Sequence, residues 1–298
     1  MSAIVLEDPG QRTDARALRA TTRIGVFVLV LAALWAFWEG YRWLWIREGW
    51  THPFPVDDLT MPHLHSIVAQ LFKPAQASGP LLITILWHHA LFTAKEALAG
   101  FAIGASIGFL LGVALSRFRV LQRGLLPYIV ASQTIPILAI APMVVVGLGN
   151  LKVHGWTPAD WLRVAVIAAY LTFFPVTVNT LRGLQSADPR ALELMHSYAA
   201  GSWATLWKLR VPSSLPYLFA AFKVSATASV VGAIIGEAPS SIPNGLGGAI
   251  ITFNQYYSLE PKNLWATNLV AALLGIVFFL AVLVVERLVV RRAPEALA

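Results

Sequence analysis

The chain has 298 residues, of which 57% are hydrophobic and 12% are charged, and its formal net charge is +7. A soluble domain carries about 25% charged residues, so this composition excludes a disordered chain and argues strongly against a soluble enzyme. The basic residues lie in clusters between long apolar runs, which favours membrane topology over nucleic-acid binding as their explanation.

Six apolar runs approach the roughly 20 residues that a helix needs to cross a bilayer. They lie at residues 24–45, 97–115, 126–148, 162–181, 215–236 and 264–285. The first run is too long for a cleaved signal peptide and no cleavage site follows it, so we expect it to be retained. We therefore predict an all-α integral membrane protein with about six transmembrane helices.

The distribution of basic residues predicts the orientation of these helices. With a cytoplasmic N-terminus, the inner segments carry about twice as many arginines and lysines as the outer segments, as the positive-inside rule requires. We expect a multi-pass protein of the bacterial inner membrane with both termini in the cytoplasm. The predicted organisation is a tail at 1–23, a first transmembrane helix at 24–46, an outer loop with an interfacial helix at 47–95, a core of five transmembrane helices at 96–286 and a tail at 287–298.

The outer loop is rich in proline up to residue 80, which predicts irregular structure. The following stretch, 81–95, contains Trp87, His88 and His89 and is predicted to be an interfacial helix that leads into the second transmembrane helix. A metal site at the paired histidines is disfavoured, because adjacent residues point apart on a helix. Their role stays open.

Two stripes of small residues indicate close helix contacts. The second apolar run has glycine at every fourth position, which gives one smooth face; these are Gly100, Gly104, Gly108 and Gly112. Packing within one subunit is the favoured interpretation, and a subunit or pore interface is the alternative. The fifth run carries Ser225, Ser229, Gly232 and Gly236 on one face, which fits either a pore lining or a tight helix contact.

The third run contains Pro127, Pro136 and Pro142, each of which removes a backbone hydrogen bond. It is either a bent helix or a segment in which Gln133 and Thr134 line a translocation path, because irregular backbone in a membrane is covered by protein or water.

Two charged residues sit in or beside the fifth run. Lys223 lies inside the run and is expected to extend towards the cytoplasmic headgroups. Glu237 lies at the outer end of the run, where interfacial solvation is favoured and a gate or partner contact is the alternative.

The segment between the fourth and fifth runs is the most informative part of the chain. Asp188 and Pro189 predict the start of a short helix, and residues 199–201 predict its end. Ser202 is expected to cap a second short helix that Pro212 ends. On that helix Trp203, Leu206 and Trp207 form an apolar face. Such a face lies on lipid, packs on its own bundle or inserts into a partner protein.

This segment resembles the cytoplasmic loop of binding-protein-dependent ABC importer permeases. Glu193 matches the glutamate of the family's Glu-Ala-Ala motif, and Arg210-Val211-Pro212 matches the end of the loop. The sequence departs from the pattern at Leu194 and Met195, which replace alanines, and at Ala199, which replaces a glycine. We expect Gly201 to supply the missing flexibility.

Two further segments carry the resemblance over residues 80–290. Gln133–Pro142 and Val230–Glu237 are similar to segments of the branch that serves nitrate, sulfonate, taurine, bicarbonate, pyrimidine vitamin precursors and riboflavin. Glu193–Tyr198 is most similar to the vitamin-precursor members.

The resemblance implies a homodimer of permeases, a pair of cytoplasmic ABC subunits that bind ATP and magnesium, and an extracytoplasmic solute-binding protein. Residues 185–214, here named the coupling segment, would dock on the ATPase through Glu193, Leu194, Met195, Tyr198, Ala199, Gly201, Trp203, Leu206, Trp207 and Pro212. The translocation path is assigned to Gln133, Thr134, Pro136, Ser225, Ser229, Gly232 and Glu237. Membrane lipid is the other expected partner, and nucleic acid is not expected.

The sequence agrees that another subunit supplies the energy, because it contains no Gly-x4-Gly-Lys-Ser/Thr phosphate loop. No catalytic residue, metal or cofactor is therefore expected in this chain, and the absence of cysteine excludes thiol chemistry. An ion-coupled secondary transporter is the alternative. A membrane-embedded enzyme would have to use His88, His89 and Glu96, the nearest set of titratable residues.

Overall fold

The computed structural model describes residues 9–50, 52, 55–76, 78–152, 157–238 and 244–290, without the side chains of 9–20 and 23–24. In chain order the helices are α1 (Pro9–Glu48), α2 (Leu64–Gln70), α3 (Leu82–Arg117), α4 (Arg119–Ser132), α5 (Ile137–Asn150), α6 (Asp160–Gln185), α7 (Pro189–Ser197), α8 (Ser202–Thr205), α9 (Val211–Glu237), α10 (Leu246–Gln255) and α11 (Pro261–Val290). A π-helical turn, Leu206–Arg210, joins α8 to α9. The described residues form no β-strand, so the predicted all-α class is confirmed.

Five helical stretches among the described residues are long and apolar enough to cross a membrane: Gly25–Glu48, Leu82–Arg117, Asp160–Gln185, Ser202–Glu237 and Pro261–Val290. The third predicted run is not one helix, because α4 and α5 meet at an angle of 97°. If this pair counts as one broken span, the chain has the six spans that hydropathy predicts.

The break between α4 and α5 lies at Pro136, whose backbone is extended (φ −61°, ψ 117°). Proline has no N–H and disfavours a helical conformation in the residue before it. Pro127 and Pro142 lie inside α4 and α5. The Ser132 carbonyl beside the break accepts a hydrogen bond from the Tyr170 hydroxyl of α6, which replaces a lost helical bond.

Helix α3 is longer than predicted. The interfacial helix at 81–95 and the second transmembrane helix form one helix of 36 residues, about 54 Å long. Neither proline nor glycine occurs between residues 82 and 99, so nothing in the sequence ends the helix at the membrane surface. A second boundary is also wrong, because Pro212 ends no helix; it is the second residue of α9, inside a helical stretch that runs from Ser202 to Glu237. The π-helical turn directly before Pro212 interrupts the regular hydrogen-bond pattern, so the missing proline N–H is tolerated there.

The predicted tails are largely helical where the structure describes them. Helix α1 begins at Pro9, so residues 9–23 continue into the first span, and residues 1–8 lie outside the described residues. Helix α11 continues to Val290, and residues 291–298 of the predicted C-terminal tail lie outside the described residues.

The chain divides into two compact units, one ending at Ala69 and the other beginning at Gln70. In the first unit, the proline-rich loop is tied to α1 by Arg42, whose Nη2 lies 2.6 Å from Asp58 Oδ1 and whose Nη1 donates to the Met61 carbonyl. Trp38 donates to the Pro62 carbonyl at 3.1 Å. Glu39 accepts from the Leu64 backbone N–H at the start of α2. The loop is therefore more ordered than its prolines predict.

In the second unit, α6 packs between α3 and α9 through two seams of small residues. Gly100, Gly104, Gly108 and Gly112 of α3 are buried, and a Cβ atom added at Gly104 would lie 2.5 Å from the Ala169 carbonyl oxygen of α6. The backbones of α3 and α6 are thus in direct contact, as close van der Waals packing in lipid requires. The glycine stripe lies inside one chain, as its favoured interpretation supposes.

The second seam of small residues joins α6 to α9. It contains three of the residues that the sequence analysis assigned to the translocation path. Ser225 and Ser229 are fully buried, and the Ser225 hydroxyl donates to the Thr172 carbonyl at 3.3 Å. A Cβ atom at Gly232 would lie 2.8 Å from Ala168 Cα. These three residues occupy a helix contact and face no open surface of this chain, so we no longer assign them to the path.

Candidate functional site

The coupling segment begins with a capped helix. The Asp188 carboxylate accepts a hydrogen bond from the Arg190 backbone N–H at 2.8 Å, and Pro189 is the first residue of α7. This is the predicted start of the helix. The segment connects α6 to α9, so two helices that form the core of the second unit lead directly into it.

Helix α7 ends in a left-handed turn at Ala199, whose φ is +51°. The Ala200 N–H reaches back to the Met195 carbonyl at 3.0 Å, in the pattern of a helix that closes with one left-handed residue. Gly201, with φ of −62°, is not the left-handed residue, so our expectation that Gly201 provides the turn is wrong. The left-handed conformation costs an alanine roughly 1 kcal/mol. The turn lies at the position where the family pattern has glycine.

The second short helix differs in two respects from its prediction. Ser202 is its first residue and makes no capping hydrogen bond with its side chain, and Gly201 occupies the capping position. The helix does not stop before α9, because the π-helical turn Leu206–Arg210 continues it. Inserting one extra residue into a helical turn shifts the side chains around the axis, and such turns are common at functional sites.

The coupling segment exposes large apolar side chains. Tyr198 is 76% exposed and Trp203 is 70% exposed, and the rings of Trp203 and Trp207 lie 5.6 Å apart, edge to face. Leu194 and Glu193 are also exposed, and α7 buries no residue at all. We name Glu193, Leu194, Tyr198, Trp203 and Trp207 the coupling surface. A contiguous exposed apolar surface on ordered helices is typical of an interaction site.

A basic cavity of about 800 Å³ lies behind the coupling surface, between the α3–α4 corner and the coupling segment. Arg117, Arg119 and Arg210 line it together with Gln122 and His196. Arg117 also contacts the Ser202 hydroxyl at 3.4 Å, which joins the end of α3 to the start of α8. The cavity therefore places three arginines beside the coupling segment.

The other end of α9 holds a buried glutamate. Glu237 is fully buried and accepts hydrogen bonds from Thr93 Oγ1 at 2.6 Å and from the Gly247 N–H at 2.5 Å. Interfacial solvation of Glu237, our favoured expectation, is therefore wrong. Sequence reasoning missed Thr93 and Glu96 as its neighbours, although Glu96 continues the four-residue spacing of the glycine stripe and so marks the same buried face of α3.

Lys223 pairs with Glu286, which lies at the predicted cytoplasmic end of the last transmembrane helix, and its extension towards the headgroups on that side stays a prediction. Its Nζ lies 2.8 Å from Glu286 Oε2 of α11, with both side chains about three-quarters covered. An apolar environment makes an unpaired charge costly, so the two residues neutralise each other within the bundle.

The break between α4 and α5 exposes part of the predicted path. Thr134 and Pro136 are exposed and Gln133 is partly buried, so this irregular backbone lies on the surface of the isolated chain. A surface of this kind inside a membrane needs cover from protein or water. His88 is exposed, and His89 Nδ1 donates a hydrogen bond to the Gly245 carbonyl; the two rings do not converge on one site.

Comparison with known proteins decides the family. The family model described as binding-protein-dependent transport system inner membrane component matches residues 104–293. The chain belongs to this family. The match includes the glycine stripe from Gly104, the coupling segment and α9.

Several curated permeases are similar to this permease. The formylaminopyrimidine transport permease protein ThiX of Halalkalibacterium halodurans is 32% identical over 64% of this chain and 73% of its own length. The riboflavin transport system permease protein RibX of Chloroflexus aurantiacus is 29% identical over 58% of this chain, which spans 59% of that relative. The putative aliphatic sulfonates transport permease protein SsuC of Bacillus subtilis is 24% identical over 91% of this chain and 87% of its own length.

A solved structure agrees with the fold of the permease. The crystal structure of an amino acid ABC transporter with histidines matches with a TM-score of 0.50 and 17% identity, over 70% of this chain and 94% of that chain. This similarity supports the permease fold, and the family model together with ThiX, RibX and SsuC supports the importer branch that the sequence resembles.

Proposed function

We propose that this permease forms the translocation path of an ATP-driven importer and that its coupling surface docks on a separate ATP-hydrolysing subunit in the cytoplasm. The observation that carries the proposal is the coupling surface itself, which is exposed, apolar apart from Glu193, and directly connected to α6 and α9. Two such permeases would pair, and an extracytoplasmic solute-binding protein would deliver the substrate.

The composition of the coupling surface fits a protein partner better than lipid. Tryptophan and tyrosine are enriched at the centre of protein interfaces, and Glu193 adds a negative charge that an anionic lipid surface would repel. The connection to α9 gives docking a mechanical consequence. A movement of the segment would be passed to a helix of 27 residues, about 40 Å long, which packs closely against α6.

We propose that the translocation path runs along the break between α4 and α5, at Gln133, Thr134 and Pro136. The irregular backbone there carries the exposed Thr134 and the partly buried Gln133, and pairing with a second permease would cover it and leave a polar route between the subunits. Both termini and the coupling segment then face the cytoplasm, as the basic residues predict.

The relatives indicate the chemistry of the solute. ThiX and RibX are named for a formylaminopyrimidine and for riboflavin, both nitrogen heterocycles, and SsuC is named for aliphatic sulfonates. We propose a small solute of the vitamin-precursor class for this permease, with a sulfonate-like or nitrate-like anion as the alternative. Binding of the delivered solute by the receptor partner would set much of the selectivity.

The test is reconstitution of the permease with its ATPase and receptor in vesicles. Glu193→Ala and Trp203→Ala should abolish uptake while the permease still assembles in the membrane, because each removes part of the docking surface. Trp87→Ala is the matched control, since Trp87 is 61% exposed on α3 and should leave uptake unchanged. Normal uptake and a stable complex after replacement of residues 189–210 by a flexible linker would contradict the proposal, as would uptake driven by an ion gradient without the ATPase.

A further inference from the structure

Two glutamates lie together in the interior of the second unit, at the end of α9 that is remote from the coupling segment. Glu96 of α3 and Glu237 of α9 are both fully buried. Thr93 lies one turn before Glu96 on the same buried face of α3 and bonds Glu237 at 2.6 Å, which places the two carboxyl groups beside each other. Neither oxygen of Glu96 has a hydrogen-bond donor from any other group among the described residues.

The hydrogen bonds assign different states to the two glutamates. Glu237 accepts from Thr93 Oγ1 and from the Gly247 N–H, so its oxygens are acceptors, as in a carboxylate. Glu96 has no hydrogen-bond donor from any other group in the part of the chain that the structure describes. Two carboxylates cannot donate to each other, and two adjacent negative charges in an apolar interior repel strongly. A hydrogen bond between the two carboxyl groups therefore needs one proton, which Glu96 would carry and donate.

The other charged groups nearby do not replace this proton. Lys95 points to the ring of Trp161, with Nζ 4.6 Å from its centroid. Asp160 of α6 pairs with Arg163 at 3.1 Å. His89 is bonded to the Gly245 carbonyl at 3.0 Å.

The start of α10 is built around the Glu237 carboxylate. A Cβ atom at Gly245 would collide with that carboxylate, and one at Gly247 would lie 2.9 Å from Glu237 Cβ. The Leu246 N–H donates to Thr93 Oγ1 at 2.9 Å, and Thr93 in turn donates to Glu237. Two backbone N–H groups in the first turn of α10 thus reach Glu237, one directly and one through Thr93, and the helix dipole favours the negative charge there.

We propose that Glu96 and Glu237 form a buried proton-binding site that holds the start of α10 against α3 and α9. With one proton bound, the pair is a carboxyl–carboxylate hydrogen bond and α10 stays in place. Loss of that proton leaves two adjacent anions, and the start of α10 separates from Glu237 so that water can reach them. The site is remote from the coupling surface, so the inference does not rest on the proposed docking of the ATPase.

Thiol labelling can test this site because the natural chain has no cysteine. Ala249→Cys places a reporter at a buried position of α10, and Asn244→Cys places a control at an exposed position just before it. The ratio of the two labelling rates is measured on the full-length permease in membranes, and the same ratio in the Glu96→Gln background controls for the different titration of a buried and an exposed thiol. We expect this ratio to be low while the pair holds its proton and to rise with pH once the proton is lost, by up to about tenfold per pH unit, the limit for release of one proton.

Glu96→Gln is the decisive variant. Its amide can donate to Glu237 as the protonated acid does, but it cannot lose that proton, so the labelling ratio should be low and independent of pH. Glu237→Ala removes the acceptor of both donors and should give a high ratio at every pH. A difference infrared spectrum should show a protonated carboxyl band that is absent in Glu96→Gln. The same alkaline rise in Glu96→Gln as in the parent, or an unchanged carboxyl band, would overturn the proposal.

Discussion

The seam between α3 and α6 makes a quantitative prediction at Gly104. A Cβ atom there would lie 2.5 Å from the Ala169 carbonyl oxygen, 2.7 Å from Thr172 Cβ and 3.0 Å from Ala169 Cα. Ordinary contacts are about 3.5 Å, so Gly104→Ala forces the two helices apart by about 1 Å. Two of the three atoms are backbone and cannot rotate away.

The expected loss of stability in Gly104→Ala is the difference between two free-energy terms. Overpacking a well-packed interior costs about 1–3 kcal/mol, and rigid backbone contacts place this site near the upper end. Replacing glycine by alanine in a helix returns about 1 kcal/mol. The net destabilisation is about 2 kcal/mol, or roughly a 30-fold loss in the folded-to-unfolded ratio.

The assay is thermal unfolding of the purified permease in detergent, followed by the loss of the monodisperse peak in size-exclusion chromatography. Gly275→Ala in α11 and Gly147→Ala in α5 are matched controls, because a Cβ atom at either position meets nothing within 4 Å. Both controls should be neutral or slightly stabilising, whereas Gly104→Ala should lower the midpoint. Equal midpoints for Gly104→Ala and the controls would refute direct backbone contact between α3 and α6.

Two further predictions concern single residues. Lys223→Met should destabilise the bundle because it leaves Glu286 unpaired, and the double variant Lys223→Met with Glu286→Leu should restore the midpoint; a double variant no more stable than the single one would contradict the ion pair. Ala199→Gly should stabilise the turn by roughly 1 kcal/mol and Ala199→Val should destabilise it, because φ is +51° there. Limited proteolysis between α7 and α8 measures both changes, and equal cleavage rates for the two variants would exclude a left-handed Ala199.

The positions of the helices could be predicted because hydropathy is a local property. The run at 162–181 lies inside Asp160–Gln185, and the run at 264–285 lies inside Pro261–Val290. The cap at Asp188 is equally local and was predicted correctly. What failed depends on residues far apart in the chain. Three prolines in the third run look equivalent in sequence, and only Pro136 breaks the helix.

The candidate functional residues also fall into two groups, those that a local sequence pattern predicts and those that depend on distant parts of the chain. The exposed tryptophans of the coupling segment were visible in sequence because their apolar face repeats with helical spacing. The surroundings of Glu237 were not, since its partner Thr93 lies 144 residues away. The glycine stripe of α3 nevertheless indicates that Glu96 is buried. Glu96, Gly100 and Gly104 share one face of α3, so a carboxyl group at the head of a buried glycine stripe is itself buried and needs a partner.

Helix α9 connects the coupling segment to the proton-binding site that we propose. It begins at Val211, directly after the π-helical turn, and ends at Glu237. Its contact with α6 is close, because a Cβ atom at Gly232 would lie 2.8 Å from Ala168 Cα and one at Gly236 would lie 3.1 Å from side-chain atoms of Val164 and Ile167. Side chains of α6 thus fill the space beside the α9 glycines, and α9 cannot shift along its axis without moving α6. At the far end of α9, Glu237 accepts hydrogen bonds from Thr93 and from the Gly247 N–H at the start of α10. If a partner displaces the coupling surface as we propose, we therefore expect α6 and α9 to move together and the bonds of Glu237 to bring α10 with them.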